Sequence, residues 1–227
     1  MISKLPKWVE IGGFSLAFTA GSVNSVGLLG FKHQAVSHLT GVSTFFSLEV
    51  ANANWWEVFH LWIVALAFLL GAMFSGFVVG NTALKLGRRY SFALLIESIL
   101  LLLAALALAF NKPSGYFFAS AACGLQNAMT SSYSGAVVRT THVSGLFTDI
   151  GIMLGMRLRG QKVDRRRVLL YLILISGFVC GGVAGAVLYQ QWQALALLLP
   201  AAMALSLAAC YWVFLHGRHQ SQNITNE

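Results

Sequence analysis

The sequence predicts an all-α, multi-pass membrane protein: six transmembrane helices and two short re-entrant or broken helices, arranged as an inverted repeat of two three-helix halves. Three observations carry this. Hydrophobic residues make up 57% of the 227 positions and charged ones 10%, with a mean hydropathy of +0.72, far more apolar than a soluble domain of this length. Apolar runs at 8–31, 55–80, 91–110, 116–138, 168–190 and 193–216 are long enough to cross roughly 30 Å of hydrocarbon. Finally, Ser37-His38-Leu39-Thr40-Gly41-Val42-Ser43-Thr44 returns in altered form as Thr141-His142-Val143-Ser144-Gly145-Leu146-Phe147-Thr148, 104 positions later.

The first run, 8–31, holds Gly21-Ser22-Val23-Asn24, echoed at an offset of 103 by Gly124-Leu125-Gln126-Asn127 in the fourth. Lys4, Lys7 and the following Ala17-Phe18-Thr19-Ala20 imitate a signal peptide. A cut there would fall directly before the repeated block, so the stretch reads as the first span. After it comes the short segment 40–52, and 143–157 takes the same place in the second half. Ser37, Thr40, Thr141 and Ser144 are suited to capping the N-termini of these short helices, and Gly41 and Gly145 permit close backbone approach. Non-helical backbone at membrane depth needs protein or water around it, so these segments are expected to face inward.

Spans two and three close the first half, 8–110. Asn111-Lys112-Pro113-Ser114-Gly115 turns the chain into the second half, 116–216, and 217–227 reads as a flexible cytoplasmic tail, all within a single membrane domain, 1–227. Three crossings per unit is an odd number, so the second copy inserts upside down and a site is expected where the halves meet. Gly181 and Gly185 in the fifth span form a small-xxx-small pair, compatible with packing inside one subunit or with a homodimer.

Charge sets the orientation. With six crossings and a cytoplasmic N-terminus, Lys4, Lys7, Lys85, Arg88, Arg89, Arg139, Arg157, Arg159, Lys162, Arg165, Arg166, Arg167 and Arg218 fall inside, and only Lys32 and Lys112 outside. Were the two short segments also to cross, Lys85, Arg88 and Arg89 would move to the wrong face. The positive-inside bias favours six spans with both termini cytoplasmic. Trp8, Trp55, Trp56, Trp192 and Trp212 mark span ends, as an aromatic belt does. The net charge of +8 therefore speaks for topology and anionic headgroups rather than nucleic acid, for which no binding motif is present.

Cys123, Cys180 and Cys210 lie in apolar spans without paired spacing, so neither a disulfide frame nor a metal site is expected. No Gly-x-Ser-x-Gly, His-Glu-x-x-His or phosphate-loop pattern occurs; the chain does not read as an enzyme, and no cofactor is implied. The polar residues of the repeats, Asn24, His38, Thr40, Gly41, Gln126, Asn127, His142, Ser144 and Gly145, are the candidate substrate-binding set. Two helix N-termini converging there would favour an anion or a group rich in lone pairs. Asp149, Glu49 and Glu97 are candidates for ion or proton coupling, because a carboxylate at membrane depth is costly unless paired, protonated or wetted. Each of these residues also has a bland reading as a helix bridge or a solvated end.

Gly21-Ser22-Val23-Asn24-Ser25, Ser37-His38-Leu39-Thr40-Gly41, Gly124-Leu125-Gln126-Asn127-Ala128 and Arg139-Thr140-Thr141-His142-Val143-Ser144-Gly145-Leu146-Phe147-Thr148-Asp149 together resemble the YoaK family of bacterial inner-membrane proteins, a domain of unknown function. The chain departs from that pattern at Asn24, where the family usually has Asp, and at Val42, where it usually has Asn. The resemblance implies six helices and an inner-membrane address, with no substrate. The expected function is a small secondary transporter or channel for a small polar or anionic solute; the alternative is a non-transporting scaffold or partner-binding protein.

Overall fold

The computed structural model describes residues 8–30, 32–80, 88–134 and 139–224. Lys4, Lys7 and Lys85 of the charge argument, and the end of the 116–138 run, lie outside these residues. Regular structure among them is helical: α1 (Trp8–Leu29), α2 (Leu39–Ala51), α3 (Trp55–Val79), α4 (Arg88–Ala109), α5 (Ser114–Ser134), α6 (Val143–Leu158), α7 (Arg165–Trp192), a 3-10 turn (Gln193–Leu197) and α8 (Leu198–Ile224).

Local chemistry sets several ends. Asp164 caps α7 by accepting from the N–H groups of Arg166 and Arg167 at 3.0 and 3.4 Å. Helices α2, α4 and α6 finish alike. The residue after each C-cap takes a positive φ (Ala53 at 55°, Asn111 at 54°, Gly160 at 75°), and the next N–H reaches back to Glu49 O, Ala107 O and Met156 O, the Schellman arrangement. Pro113 then bars any continuation of α4. Helix α8 starts five residues later than the 193–216 run and continues to Ile224, taking in most of the segment expected to be a tail.

Three helices among the described residues are long and apolar enough to cross a membrane: Trp55–Val79, Arg89–Ala109, and the stretch Arg165–Val213 that spans α7, the 3-10 turn and the start of α8. Helices α1 and α5 do not meet that measure. Both are interior: Thr19, Ser22, Ser120, Gln126 and Thr130 are buried, and helices packed on their flanks relieve them of the need to be apolar all round. By contrast α3 turns Phe59, Trp62, Leu69 and Phe77 outward, and α7 turns Leu172, Val179 and Val183 outward, an apolar girdle of the kind a bilayer covers.

Packing is organised by pairs. Helix α1 lies along α7, α3 along α5 and α4 along α8, while α2 leans on α3 and α6 on α7. In the first pair Glu10 meets Arg166, Phe18 lies against Gly181 and Ser22 against Gly185, so the helices run parallel. In the second, His60 packs on Tyr116 and Phe117, the Ser120 hydroxyl reaches Val64 O and Phe68 lies against Gly124, again parallel. At each crossing two glycines admit the partner's backbone. A Cβ on Gly21 would overlap Phe178 O and one on Gly181 would overlap Phe18 O; Gly124 stands in the same way to Phe68 O, and Gly71 to Ala121 O. Two apolar cores fill the bundle, one around Tyr90, Leu94, Leu125 and Tyr171, the other around Val26, Val36, Leu101, Tyr116 and Leu197.

The short helices depart from the expectation that they face inward. Their bodies sit at the periphery, where Phe45, Leu48 and Val50 of α2 and Phe147, Ile152 and Leu154 of α6 are exposed. Those outward faces are largely apolar, and the exposed Thr44 and Ser47 hydroxyls of α2 donate to the backbone of their own helix, so little drives the helices into the bundle once surrounded by lipid. Their first turns point toward the centre, and beyond them Met153 of α6 is buried against the core.

Candidate functional site

Those first turns open onto a cavity of about 540 Å³. Asn24 of α1, Phe68 of α3, Asn127 and Ser131 of α5 and Phe178 of α7 form its walls. The extended links before the short helices contribute Ser37, His38, Arg139, Thr141 and His142, and the helices themselves contribute Leu39, Thr40, Val143 and Ser144. Most of this lining comes in matched pairs across the repeat: Asn24 with Asn127, His38 with His142, Thr40 with Ser144. Among the described residues no carboxylate lines the cavity, and Arg139 is the one permanently charged side chain that does.

His38 and His142 are the N-caps of α2 and α6, with φ/ψ of −95°/73° and −99°/59°, and neither makes a side-chain cap bond. Capping by Ser37, Thr40, Thr141 or Ser144, expected from sequence, does not occur. Ser37 is engaged elsewhere: its N–H and hydroxyl both donate to Asn24 Oδ1, at 3.3 and 3.1 Å. Thr40 and Ser144 lie inside the first turn rather than before it. The first intrahelical bonds are Val42 N–H to His38 O and Leu146 N–H to His142 O, so three N–H groups at the head of each helix lack an intrahelical acceptor. Each helix adds roughly half a positive charge at that end.

The link leading to α2 is non-helical and largely buried, and several of its polar groups find partners, while the buried Gln34 Nε2 has none among the described residues. Gln34 N–H donates to Gly27 O at 3.2 Å. The Gln34 side-chain oxygen lies 2.9 Å from His60 Nε2, and the Ser120 hydroxyl is within 3.0 Å of Val36 O and 2.8 Å of Val64 O. The second half is not a copy at its asparagine. Asn127, the counterpart of Asn24, has a buried Oδ1 without a partner among the described residues, and the buried Thr140 hydroxyl is likewise unpaired. One latch is closed and its counterpart open.

The remaining sequence candidates fall elsewhere. Gly41 and Gly145 stand behind the cavity wall. A Cβ at 41 would come within 2.9 Å of His38 Nδ1, and one at 145 would overlap the His142 ring, so these glycines let each imidazole fold over its own first turn. Gln126, 1% exposed, donates from Nε2 to Leu16 O at 2.5 Å and ties α5 to α1. Asp149 pairs with Arg167 at 3.7 Å and docks α6 on α7. Glu49 accepts from Asn54 Nδ2 at 2.8 Å and borders a separate hollow with Lys32, His33 and Glu57. Glu97 is 1% exposed within the bundle, with Oε2 unpartnered among the described residues. None of the three carboxylates reaches the cavity.

Sequence reading missed Phe68, Phe178 and Ser131. A signal for the first two exists: Phe68-x-x-Gly71 recurs as Phe178-x-x-Gly181, 110 positions on, and in each case the glycine makes the crossing while the phenylalanine reaches the cavity. Among known proteins, no curated protein and no solved structure matches the chain. One family profile does, described as a protein of unknown function, DUF1275, over residues 12–210. That match covers most of the sequence, and the chain belongs to the DUF1275 family.

Proposed function

We propose that this is a multi-pass protein of the bacterial inner membrane, with both termini cytoplasmic, that moves a small anion through the central cavity. Its halves are inverted repeats, and α2 and α6 are re-entrant from opposite faces. The observation that carries this reading is the cavity's lining: two helix N-termini, two matched histidines, two matched asparagines and Arg139, with no opposing carboxylate among the described residues. A site with that balance favours negative charge, and its volume suits an inorganic oxyanion or a short carboxylate with some of its water.

Ion pairs support the re-entrant path. Lys32, just past α1, pairs with Glu57 at the head of α3, so α1 ends where α3 begins. The 13 residues of α2 cover about 20 Å, too little to cross, and Glu49 near its end returns to the hollow shared with Lys32 and Glu57. On the other face α6 starts at the cavity and runs past the head of α7: Arg167 holds Asp149 midway along α6, Arg166 holds Glu10, and Arg157 at the end of α6 shares a groove with Arg165 and Val168. The pairing of α1 with α7 and of α3 with α5 is interchanged by the same relation that exchanges the repeats. Asn24–Ser37 closed while Asn127–Thr141 stands open is the asymmetry expected of one conformer of an alternating-access cycle.

Flux of small anions and neutral polar solutes into proteoliposomes tests the proposal. At least one anion should enter faster than into protein-free vesicles, and His38→Ala/His142→Ala should slow it at least tenfold while the protein remains monodisperse. If no solute enters faster with wild-type protein, or the double variant matches it, the cavity is a structural junction and the scaffold reading takes its place.

A further inference from the structure

We propose that the groove between the C-terminal end of α6 and the head of α7 is a binding site for one anionic phospholipid. This site is separate from the central cavity and does not depend on its proposed function. The groove encloses about 440 Å³, and Arg157, Lys162 and Arg165 stand along it with Met153, Leu154, Val163 and Val168 as its apolar wall. The two kinds of residue match the two parts of a phospholipid.

Charge at this end of the molecule is unevenly used. Arg166 is committed to Glu10 and Arg167 to Asp149, while Asp164 is occupied in capping α7. Arg157, Lys162 and Arg165 have no carboxylate partner among the described residues, yet all three converge on one hollow. Three cations left unpaired side by side repel one another, an arrangement that a phosphate or phosphatidyl headgroup relieves.

Position fits the same ligand. Arg165 is the first residue of α7, so the cations lie where the helix leaves the hydrocarbon and headgroup phosphates are found. The apolar wall runs back from them along α6 and α7, and Leu158, 89% exposed, and Leu154 extend it outward. A soluble anion such as phosphate would use the cations and leave this wall bare, whereas an acyl chain covers it. Gly160 at positive φ and the Gln161-to-Met156 bond turn the chain back after α6, and Lys162, next along, lines the groove.

The whole protein in nanodiscs of zwitterionic lipid doped with phosphatidylglycerol, followed by native mass spectrometry of retained lipid, tests this. One tightly held phosphatidylglycerol is expected. Removing a charge near a membrane surface weakens binding about fivefold, so Arg157→Gln/Lys162→Gln/Arg165→Gln should lower retention about 100-fold. Arg159→Gln, in the same basic run but outside the groove, should change it less than twofold, and millimolar inorganic phosphate should not displace the lipid. Equal losses for Arg157→Gln and Arg159→Gln would reduce the effect to a diffuse surface potential and overturn the site. Displacement by phosphate, or equal retention of phosphatidylcholine, would overturn it as well.

Discussion

Replacing Gly181 by valine should cost the fold on the order of 2–4 kcal/mol, enough to abolish the monodisperse peak in detergent or lower its thermal midpoint by several degrees. The cause is steric and local. At the α1/α7 crossing a Cβ on Gly181 falls on Phe18 O and would also collide with the Phe18 carbonyl carbon at 2.6 Å. Backbone cannot rotate aside as a side chain can, so the helices must separate along their length. Association in lipid rests on close packing rather than on a hydrophobic drive, and separation forfeits it. Gly124→Val, against Phe68 O in the partner crossing, should do the same. Gly155→Val on α6, where a Cβ meets nothing within 4 Å, is the internal control and should leave the midpoint unchanged. Equal melting of all three variants would mean that the crossings are not close contacts.

Arg139→Gln should reduce anion flux roughly 10- to 100-fold, the loss expected when one charge-assisted hydrogen bond of about 1.5–3 kcal/mol disappears. Among the described residues Arg139 is the one fixed cation of the cavity, and it is exposed and without an ion-pair partner. Its removal should therefore leave thermal stability nearly intact while abolishing anion preference. Arg139→Lys keeps the charge but loses the planar fork, and should recover part of the rate. Flux of neutral solutes serves as the comparison. Should Arg139→Gln transport anions at the wild-type rate, the residue serves topology or lipid contact, and the lining is not an anion site.

Much of this arrangement was legible in the sequence, because a repeat imposes a correspondence that single residues do not. Offsets of 104 and 103 pair His38 with His142 and Asn24 with Asn127, and all four border one cavity. What failed was local. By type and position Ser37 reads as a helix cap, but its hydroxyl donates to Asn24, 13 residues back in the chain, which propensity cannot foresee. Gly41 and Gly145 read as points of close backbone approach, and the group that sits against each is the imidazole three residues before it. Gln126 is as polar as Asn127 and adjacent to it, yet one helical step of about 100° turns it onto Leu16 rather than into the cavity. The interior placement of α1 and α5 was likewise invisible, since their small and polar residues read as spans of modest hydropathy until neighbours cover them. Phe68 and Phe178 went unnoticed because two apolar residues in apolar helices stand out only once the glycine three positions later is seen to mark a crossing.

The claim on which the site depends is that α2 and α6 enter from opposite faces and return to the face they came from. Single cysteines at Ala53, Lys112 and Gln161, in a background with Cys123, Cys180 and Cys210 replaced by alanine, can be labelled with a membrane-impermeant maleimide in oriented vesicles. The account predicts that Ala53 and Lys112 react from one face and Gln161 from the other. If α2 and α6 instead cross the bilayer, all three positions fall on the same face, and labelling of all three from a single side would contradict the account.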